Sequence, residues 1–271
     1  MDGFEARARA RGYRTVAGVD EAGRGPLAGP VVAAAVVLPP GFSDPAVRDL
    51  KALSPAARDR AFSLIVGEAL AYSVAHATPE EIDRINILQA SLLAMRRAVE
   101  GLSRRPDFVF VDGNIPIPPP ASCPVASAPG KARRPRKAGG AARARASRAG
   151  GAGERAQRLP FAAPPGPPGC VFAADAACLN AGRPVPGAPT VWCAIGQEAV
   201  ISGDSTCRSI MAASVLAKVT RDRAMEEFDR LYPGYGFASH KGYATGEHVA
   251  AIRRLGPCPI HRMTFHGVRD D

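Results

Sequence analysis

The chain has 271 residues, of which 46% are hydrophobic, so it is long enough for one large or two small domains with a substantial core. Its longest apolar run, residues 31–38, is too short to cross a bilayer, and the charged N-terminal residues show no secretory signal. The net charge of +10 does not by itself indicate a nucleic-acid partner, because residues 130–160 contain ten Lys or Arg residues against one acid and carry +9 of it. The folded part must therefore be interpreted from its motifs.

Six cysteines occur without any CxxC spacing. In a chain of this length without a signal segment, this pattern favours reduced thiols over a disulfide framework or a zinc site. We expect a soluble, cytoplasmic protein that does not associate with a membrane.

The first 114 residues alternate between apolar segments and turns, which is typical of an α/β domain. Residues 14–19 and 28–38 are predicted strands, and the short glycine-containing turn between them favours an antiparallel hairpin. Helical periodicity follows over residues 55–71 and 82–102. A short apolar strand is predicted over residues 108–111.

Residues 115–188 have a different composition, dominated by Pro, Gly, Ala and Arg, and such a segment buries too little apolar surface to offset its ordering entropy. They are predicted to form a long disordered insertion. Helical periodicity returns over residues 209–231 and 246–255. Ser214 and Lys218 lie one turn apart on the first of these helices, so they share a face.

Acidic residues end three apolar segments of the chain: Asp20 with Glu21, Asp112, and Asp204. An acid at the end of a buried strand is held rigidly at the sheet edge, because the core would not tolerate it unpaired. Four carboxylates converging there would repel one another unless cations lay between them, and Mg²⁺ or Mn²⁺ are hard ions that prefer oxygen ligands. Two such ions ~4 Å apart activate a water and stabilise a leaving oxygen in phosphodiester cleavage.

Each acid alone also has an ordinary structural interpretation. Asp112 is followed by Gly113 and Asn114, which is turn chemistry. Neighbouring residues of a strand face opposite sides, so Asp20 and Glu21 can serve one site only if the strand ends or bulges between them. The glycines that follow would allow such a bulge.

Two other groups of residues suggest different sites. Residues 203–205 are similar to the nucleophile block of a serine esterase, but this block lies late in the chain and lacks an obvious oxyanion motif. His240, His248 and His261 are separated by eight and thirteen residues, which fits no compact set of metal ligands. We expect structural or substrate-side roles for these histidines.

Five blocks of the sequence, in order, resemble ribonuclease HII. They read VDEAGRGPLAGPV at 19–31, VDGN at 111–114, GDS at 203–205, SIMAASVLAKVTRD at 209–222 and YGFASHKGY at 235–243. His248, Gly256-Pro257 and His261-Arg262 continue the pattern. The resemblance covers roughly residues 14–114 and 190–265.

The family implies an RNase H-like α/β fold, with a mixed sheet flanked by helices and a C-terminal helical region. Its domain boundaries in this chain would be an N-terminal extension at 1–13, one catalytic domain at 14–114 and 189–265, the insertion at 115–188 and a C-terminal tail at 266–271. It implies an endonuclease that hydrolyses the RNA strand of RNA–DNA hybrids and cuts at ribonucleotides embedded in duplex DNA, leaving 5′-phosphate and 3′-hydroxyl ends. Two divalent ions, Mn²⁺ or Mg²⁺, are expected at the active site, and we expect a monomer.

Motif position also implies which residues carry this chemistry. The metal-binding and catalytic acids correspond to Asp20, Glu21, Asp112 and Asp204. The loop that reads the ribose 2′-hydroxyl, mainly through backbone groups, corresponds to Gly23, Arg24 and Gly25. Glycine suits this role because a residue without a Cβ lets the backbone approach a sugar, and the 2′-hydroxyl distinguishes RNA from DNA.

Three further residues correspond to substrate contacts in the family. Tyr243 matches the tyrosine that packs on the sugar beyond the ribonucleotide. Ser214 and Lys218 are placed to meet a backbone phosphate, which would position the duplex without reading its sequence.

The sequence departs from the family pattern in two places. Residues 49–54 read DLKALS where the family usually has Asp-Ser-Lys-Lys-Leu-Ser, so Leu50 and Ala52 replace a serine and a lysine and would weaken substrate contact there. The insertion replaces a short connection between Asp112 and Asp204. Loop-closure entropy grows only slowly, by ~0.6 kcal/mol per doubling of length, so the insertion need not disrupt the fold.

Two alternative functions follow from these departures and from the fold. The changes at Leu50 and Ala52 leave open a catalytically weakened nucleic-acid-binding protein on the same scaffold. Another enzyme of this fold, such as a resolvase or a type HIII-like enzyme, is disfavoured by the Gly-Arg-Gly block and Tyr243. The basic insertion would add nonspecific nucleic-acid affinity through counterion release.

Overall fold

The computed structural model describes residues 3–47, 53–120, 192 and 195–269. Leu50, Ala52 and the predicted insertion beyond residue 120 lie outside the described residues. None of the helices in the described part is long and apolar enough to span a membrane.

A five-stranded mixed sheet forms the centre of the molecule. Its strands are β1 (Val16–Ala22), β2 (Val31–Val37), β3 (Ala71–Ala77), β4 (Phe108–Asp112) and β5 (Gly196–Val200). Their spatial order is β3-β2-β1-β4-β5, with β3, β2 and β1 antiparallel and β1, β4 and β5 parallel. The predicted mixed sheet and the hairpin between the first two strands are therefore confirmed.

Eight helices in the described part surround the sheet. They are α1 (Phe4–Ala10), α2 (Pro55–Glu68), α3 (Pro79–Ile85), α4 (Ile87–Glu100), α5 (Gly203–Thr206), α6 (Arg208–Leu231), α7 (Phe237–His240) and α8 (Gly246–Leu255). The predicted helices at 209–231 and 246–255 match α6 and α8. The strand β3 and the helix α1 were not predicted.

The predicted helix at 82–102 is interrupted at Asn86. This residue adopts a left-handed φ of 67°, which ends α3, and its side-chain oxygen accepts a hydrogen bond from the Gln89 N–H at 3.1 Å, which caps α4. Thr78 and Glu81 form a capping box at the start of α3. The interruption therefore depends on one backbone conformation that periodicity does not record.

The two faces of the sheet are covered by different helices. Side chains of α4 pack with Ala17 and Val19 of β1 on one face, and α2 and α6 cover Ala34 and Val36 of β2 on the other. Burial decreases toward the ends of β1 and β4, where Glu21 and Asp112 are only half-buried.

The long helix α6 crosses β1 at very close range. A Cβ on Gly18 would overlap the backbone of Ser209, so only glycine permits this approach. From α1, the Glu5 carboxylate accepts hydrogen bonds from the Ser209 N–H at 2.7 Å and the Ser209 hydroxyl at 2.8 Å, which caps the first turn of α6. The sheet and α1 together fix where α6 runs past the predicted acids.

Candidate active site

Asp20 is the most deeply buried of the predicted acids, with 5% of its surface exposed. Its Oδ1 accepts a hydrogen bond from the Glu21 N–H at 2.7 Å, and the Ser214 hydroxyl donates to its carboxylate. Burial raises the pKa of Asp20 well above its usual range, and repulsion from Glu21 and Asp112 raises that pKa further. This carboxylate therefore lacks a counter-charge for its ionised form.

Glu21 lies beside Asp20 and is only partly neutralised. Its Oε1 pairs with the Arg24 guanidinium at 3.2 Å, while its Oε2 is buried and has no hydrogen-bond partner among the described residues. Burial raises the pKa of Glu21, Arg24 opposes this rise, and the charge of Asp112 adds to it. An orphaned carboxylate oxygen at this depth is costly unless something else binds it.

The expected strand end or bulge between Asp20 and Glu21 is absent, and this prediction was wrong. Strand β1 pairs residue by residue with β2 through Asp20↔Ala34, Glu21↔Ala33 and on to Ala22. On its other side, however, pairing with β4 stops at Val19↔Val111. Because none of the described strands pairs with this side of β1 beyond Val19, carboxylates from both faces of β1 come within electrostatic reach of Asp112.

Asp112 and Asp204 lie close together where the parallel strands β4 and β5 end. Asp112 ends β4, and its Oδ1 accepts a hydrogen bond from the Asp204 N–H at 3.3 Å. Asp204 lies in the short helix α5, after a left-handed Ser202 with a φ of 55°, rather than directly at the end of a strand as predicted. The structure thus brings all four predicted acids to one end of the sheet.

The chemistry of this acid cluster (Asp20, Glu21, Asp112 and Asp204) fits divalent cations. Burial and the charge of Asp112 raise the pKa values of Asp20 and Glu21, and a buried oxygen of Glu21 lacks a partner within the described residues. In the described part, no three Asp, Glu, His or Cys side chains lie close enough together to form a ready set of metal ligands. What the cluster offers is carboxylate oxygens, the ligand type that Mg²⁺ and Mn²⁺ prefer.

The predicted sugar-reading loop begins where β1 ends. Arg24 and Gly25 are exposed, and Gly23 adopts a φ of 96°, with Arg221 packed so closely that a Cβ at residue 23 would overlap its guanidinium. Arg262 donates from Nη2 to the Gly23 carbonyl at 2.6 Å and from Nη1 to the Arg24 carbonyl at 2.9 Å. The loop is thus held from beneath by buried side chains.

We call the side chains of Arg221 and Arg262, together with their backbone acceptors, the arginine framework. Both are fully buried. Arg262 also donates from Nε to the Gly29 carbonyl at 3.0 Å, and Arg221 donates to the carbonyls of Ala28, Pro30 and Lys241 at 3.0–3.2 Å. Burial lowers the pKa of Arg262 to about 9 and that of Arg221 to about 10, so both remain charged at neutral pH.

Sequence reasoning gave these two arginines no role. Both lie in or beside the quoted blocks, but a lone arginine reads as a surface residue unless its burial is known. Their neighbours in the sequence, Asp222 and Met263, offer no pattern that separates a buried arginine from an exposed one. One signal could have indicated burial of Arg221: its position on the face of α6 that packs inward.

Tyr243 lies over the same loop. About half of its surface is exposed, and its ring approaches Gly25 so that a Cβ at residue 25 would lie 3.6 Å from the Tyr243 Cε1. The neighbouring Gly242 carbonyl accepts from the Leu27 N–H at 2.8 Å, which joins the segment of Tyr243 to the chain that leaves the loop. The structure therefore brings Tyr243 and Gly25 together, as the resemblance implied.

Three buried histidines support the Tyr243 segment from behind. The Nδ1 of His248 lies 2.8 Å from the Tyr243 carbonyl oxygen, and its Nε2 lies 3.1 Å from the Nε2 of His261. The ring of His248 also stacks on that of His240. Burial lowers the pKa of His261 to about 4. These contacts favour the structural role expected from the sequence over a metal site.

Ser214 and Lys218 lie on α6 and face different partners. Ser214 is buried and donates to Asp20, so its hydroxyl serves the acid cluster directly. Lys218 binds Asp222 through Nζ and Oδ1 at 2.7 Å, and about a quarter of its side chain is exposed. Only Lys218 of this pair is therefore accessible to a phosphate as it stands.

Comparison with known proteins identifies the family. The family model described as Ribonuclease HII matches residues 17–129 and 194–268. A protein named Ribonuclease HII from Geobacter sulfurreducens is 45% identical over 267 residues, which cover 98% of this chain and 89% of that protein.

Solved structures agree on the fold. The ribonuclease H2 from Pyrococcus horikoshii OT3 has a TM-score of 0.56 at 24% identity and covers 94% of this chain and 96% of that one. Bst-RNase HIII in complex with Mn²⁺ has a TM-score of 0.50 at 16% identity, covering 94% of this chain and 68% of that one. The chain has an RNase H-like fold and belongs to the ribonuclease HII family, endoribonucleases that hydrolyse the RNA strand of RNA–DNA hybrids.

Proposed function

We propose that the chain also cuts at single ribonucleotides embedded in duplex DNA, by two-metal hydrolysis that leaves 5′-phosphate and 3′-hydroxyl ends. The observation that carries this proposal is the acid cluster. Asp20, Glu21 and Asp112 are crowded at one end of the sheet, and the first two have pKa values raised by burial and by their neighbours' charges. Cations bound between these carboxylates would neutralise their mutual repulsion.

The four acids of the cluster would hold the ions. Mg²⁺ and Mn²⁺ both prefer carboxylate oxygens, and the Mn²⁺ complex of the structurally similar Bst-RNase HIII supports this choice. When bound, a pair of ions would supply an activated water and stabilise the charge on the leaving 3′-oxygen.

The protein's own side chains orient these acids. The Ser214 hydroxyl holds Asp20, the Arg24 guanidinium holds one oxygen of Glu21, and the Asp204 N–H holds one oxygen of Asp112. These contacts fix the orientation of the carboxylates, and for Glu21 they leave Oε2 without a hydrogen-bond partner among the described residues. Pre-orientation of this kind reduces the reorganisation needed during the reaction.

Substrate binding is proposed for the surface beside the acid cluster. Gly23, Arg24 and Gly25 would read the ribose 2′-hydroxyl, and the exposed ring of Tyr243 would pack on the next sugar. Lys218 would meet a backbone phosphate, exchanging its contact with Asp222. We propose a monomer as the active unit, because one chain supplies both the acids and the loop.

The test uses a DNA duplex with one ribonucleotide, incubated with Mg²⁺ or Mn²⁺. We expect a single cut, with 5′-phosphate and 3′-hydroxyl ends identified by mass spectrometry. Asp112→Asn is expected to abolish cutting and to preserve binding, whereas the exposed control Asp59→Asn keeps full activity.

Other outcomes would support the alternatives. Binding of the duplex by the wild-type chain without cleavage would favour a catalytically weakened binding protein. Cutting of all-DNA junctions but not of ribose-containing duplex would favour a resolvase. Full activity of Asp112→Asn would show that the site is misassigned.

A further inference from the structure

Arg262 is a buried cation whose hydrogen bonds all go to backbone carbonyls, while its guanidinium lies 5.1 Å from the centre of the Phe265 ring. Its side chain is inaccessible to solvent, and its three hydrogen bonds reach the carbonyls of Gly23, Arg24 and Gly29. None of the ion pairs in the described part involves it. Burying a guanidinium without a carboxylate is unfavourable, so the backbone geometry that it enforces must matter to the molecule.

The hydrogen bonds of Arg262 determine where two N–H groups point. In a trans peptide the C=O and the N–H point in opposite directions. Because the Gly23 and Arg24 carbonyls are drawn inward, the N–H groups of the same two peptides, which belong to Arg24 and Gly25, point outward. Both residues are exposed, and neither N–H has an acceptor among the described residues.

We infer that Arg262 is a positioning residue for ribose recognition, because it presents the N–H groups of Arg24 and Gly25 as paired donors to the ribose 2′-hydroxyl oxygen. This inference rests on the proposed function. A hydroxyl oxygen accepts two hydrogen bonds, so it matches two adjacent donors. A deoxyribose offers no acceptor at that position, and a site built to bind a hydroxyl rejects the analogue that lacks it.

The planar fork of arginine explains why this position needs its chemistry. Two parallel N–H groups hold the consecutive carbonyls of Gly23 and Arg24 in one fixed geometry, and Nε adds a third anchor at Gly29. A lysine would preserve the charge, but its ammonium lacks the planar fork and would not hold the two loop carbonyls in one fixed geometry. The conservative change Arg262→Lys should therefore loosen the loop while disturbing the core least.

The first experiment measures binding in an Asp112→Asn background, which prevents cleavage. Affinity is compared for two duplexes of one sequence, with and without a single ribonucleotide. We expect Arg262→Lys to lower the ribonucleotide preference about tenfold and to change all-DNA affinity by less than about twofold. Arg223→Lys, an exposed arginine of α6 paired with Asp59, is the matched control and should keep the full preference.

A second measurement does not depend on the variant folding. Amide hydrogen exchange in the same background should be fast at Arg24 and Gly25 in the free protein, and clearly slower with the ribonucleotide duplex than with all-DNA. An unchanged preference in folded Arg262→Lys, or equal protection by both duplexes, would overturn the inference. If the background protein has no ribonucleotide preference at all, the proposed function itself fails.

Discussion

The acid cluster and the arginine framework lie next to each other at the end of β1, yet they treat buried charge in opposite ways. In the acid cluster, like charges face one another, and one oxygen of Glu21 has no partner within the described residues. In the arginine framework, each guanidinium makes three hydrogen bonds to carbonyls. The acid cluster therefore keeps negative charge that a bound cation could compensate. The hydrogen-bond donors of the arginine framework are already occupied by carbonyls.

This difference separates the sources of activity and of stability. Removing a charge from the acid cluster should relieve repulsion and stabilise the fold while abolishing function. Removing a charge from the arginine framework should leave carbonyls unsatisfied and destabilise the fold. Two changes test this contrast, and a third tests the buried histidines that support the Tyr243 segment.

Arg221→Met is expected to have the largest effect. It leaves the carbonyls of Ala28, Pro30 and Lys241 without their donor, and unsatisfied buried groups cost about 1–3 kcal/mol each before relaxation. We expect the free energy of unfolding in urea to fall by at least about 3 kcal/mol. Arg223→Met, at an exposed pair with Asp59, should change it by less than about 1 kcal/mol. Equal effects of the two variants would contradict the role of the framework.

Asp20→Asn is expected to have the opposite sign. A carboxyl whose pKa is raised by folding contributes stability below its unfolded pKa and loses it as the pH rises, so ionised Asp20 is a cost at neutral pH. Without divalent ions, the variant should unfold at a free energy higher by on the order of 1 kcal/mol, and more so at pH 8 than at pH 5. Added Mn²⁺ should stabilise the wild type and reduce this advantage. A destabilised variant in metal-free buffer would show that the cluster is not repulsive.

The smallest expected effect concerns the buried histidines. The pKa of His261 is lowered to about 4, against an ordinary value of 6.5. Between these two pH values the unfolded chain binds a proton at this residue and the folded chain does not. Stability contributed by neutral His261 is present above pH 6.5 and is lost as the pH falls toward 4. In urea denaturation from pH 7 to 4.5, His261→Gln should therefore lose less stability than the wild type. The exposed His266→Gln is the control, and a loss equal to that of wild type in both variants would contradict this assignment.

Much of the fold could be predicted because its apolar pattern is strong. The helix α6, the hairpin of β1 and β2 and the strand β4 all follow from periodicity and turns. The strand β3 was missed, since four of its seven residues are only half-buried and three are alanines, and the helix prediction over 55–71 reached its first residue. Such a strand is defined by its partner β2 rather than by its own pattern.

The site could be predicted only in part. The four acids were singled out because they end apolar segments, the resemblance implied their metal-binding role, and the structure brings them to one end of the sheet. The way in which Asp20 and Glu21 share the site was predicted incorrectly, because it depends on where β4 stops pairing with β1. Arg221 and Arg262 were missed for a related reason: their acceptors are carbonyls of distant segments, which carry no residue-specific signal.

The parallel pairing of β4 with both β1 and β5 has a consequence for how the molecule folds. Phe108 pairs with Val16 on one side and with Gly196 on the other, so these contacts close long loops, and structures dominated by such distant contacts fold slowly. An intermediate that has formed only the β1–β2 hairpin holds Asp20 and Glu21 without Asp112, Asp204 or Arg262. Nuclease activity should therefore emerge at the last cooperative step of folding, so that incomplete chains cannot cut nucleic acid.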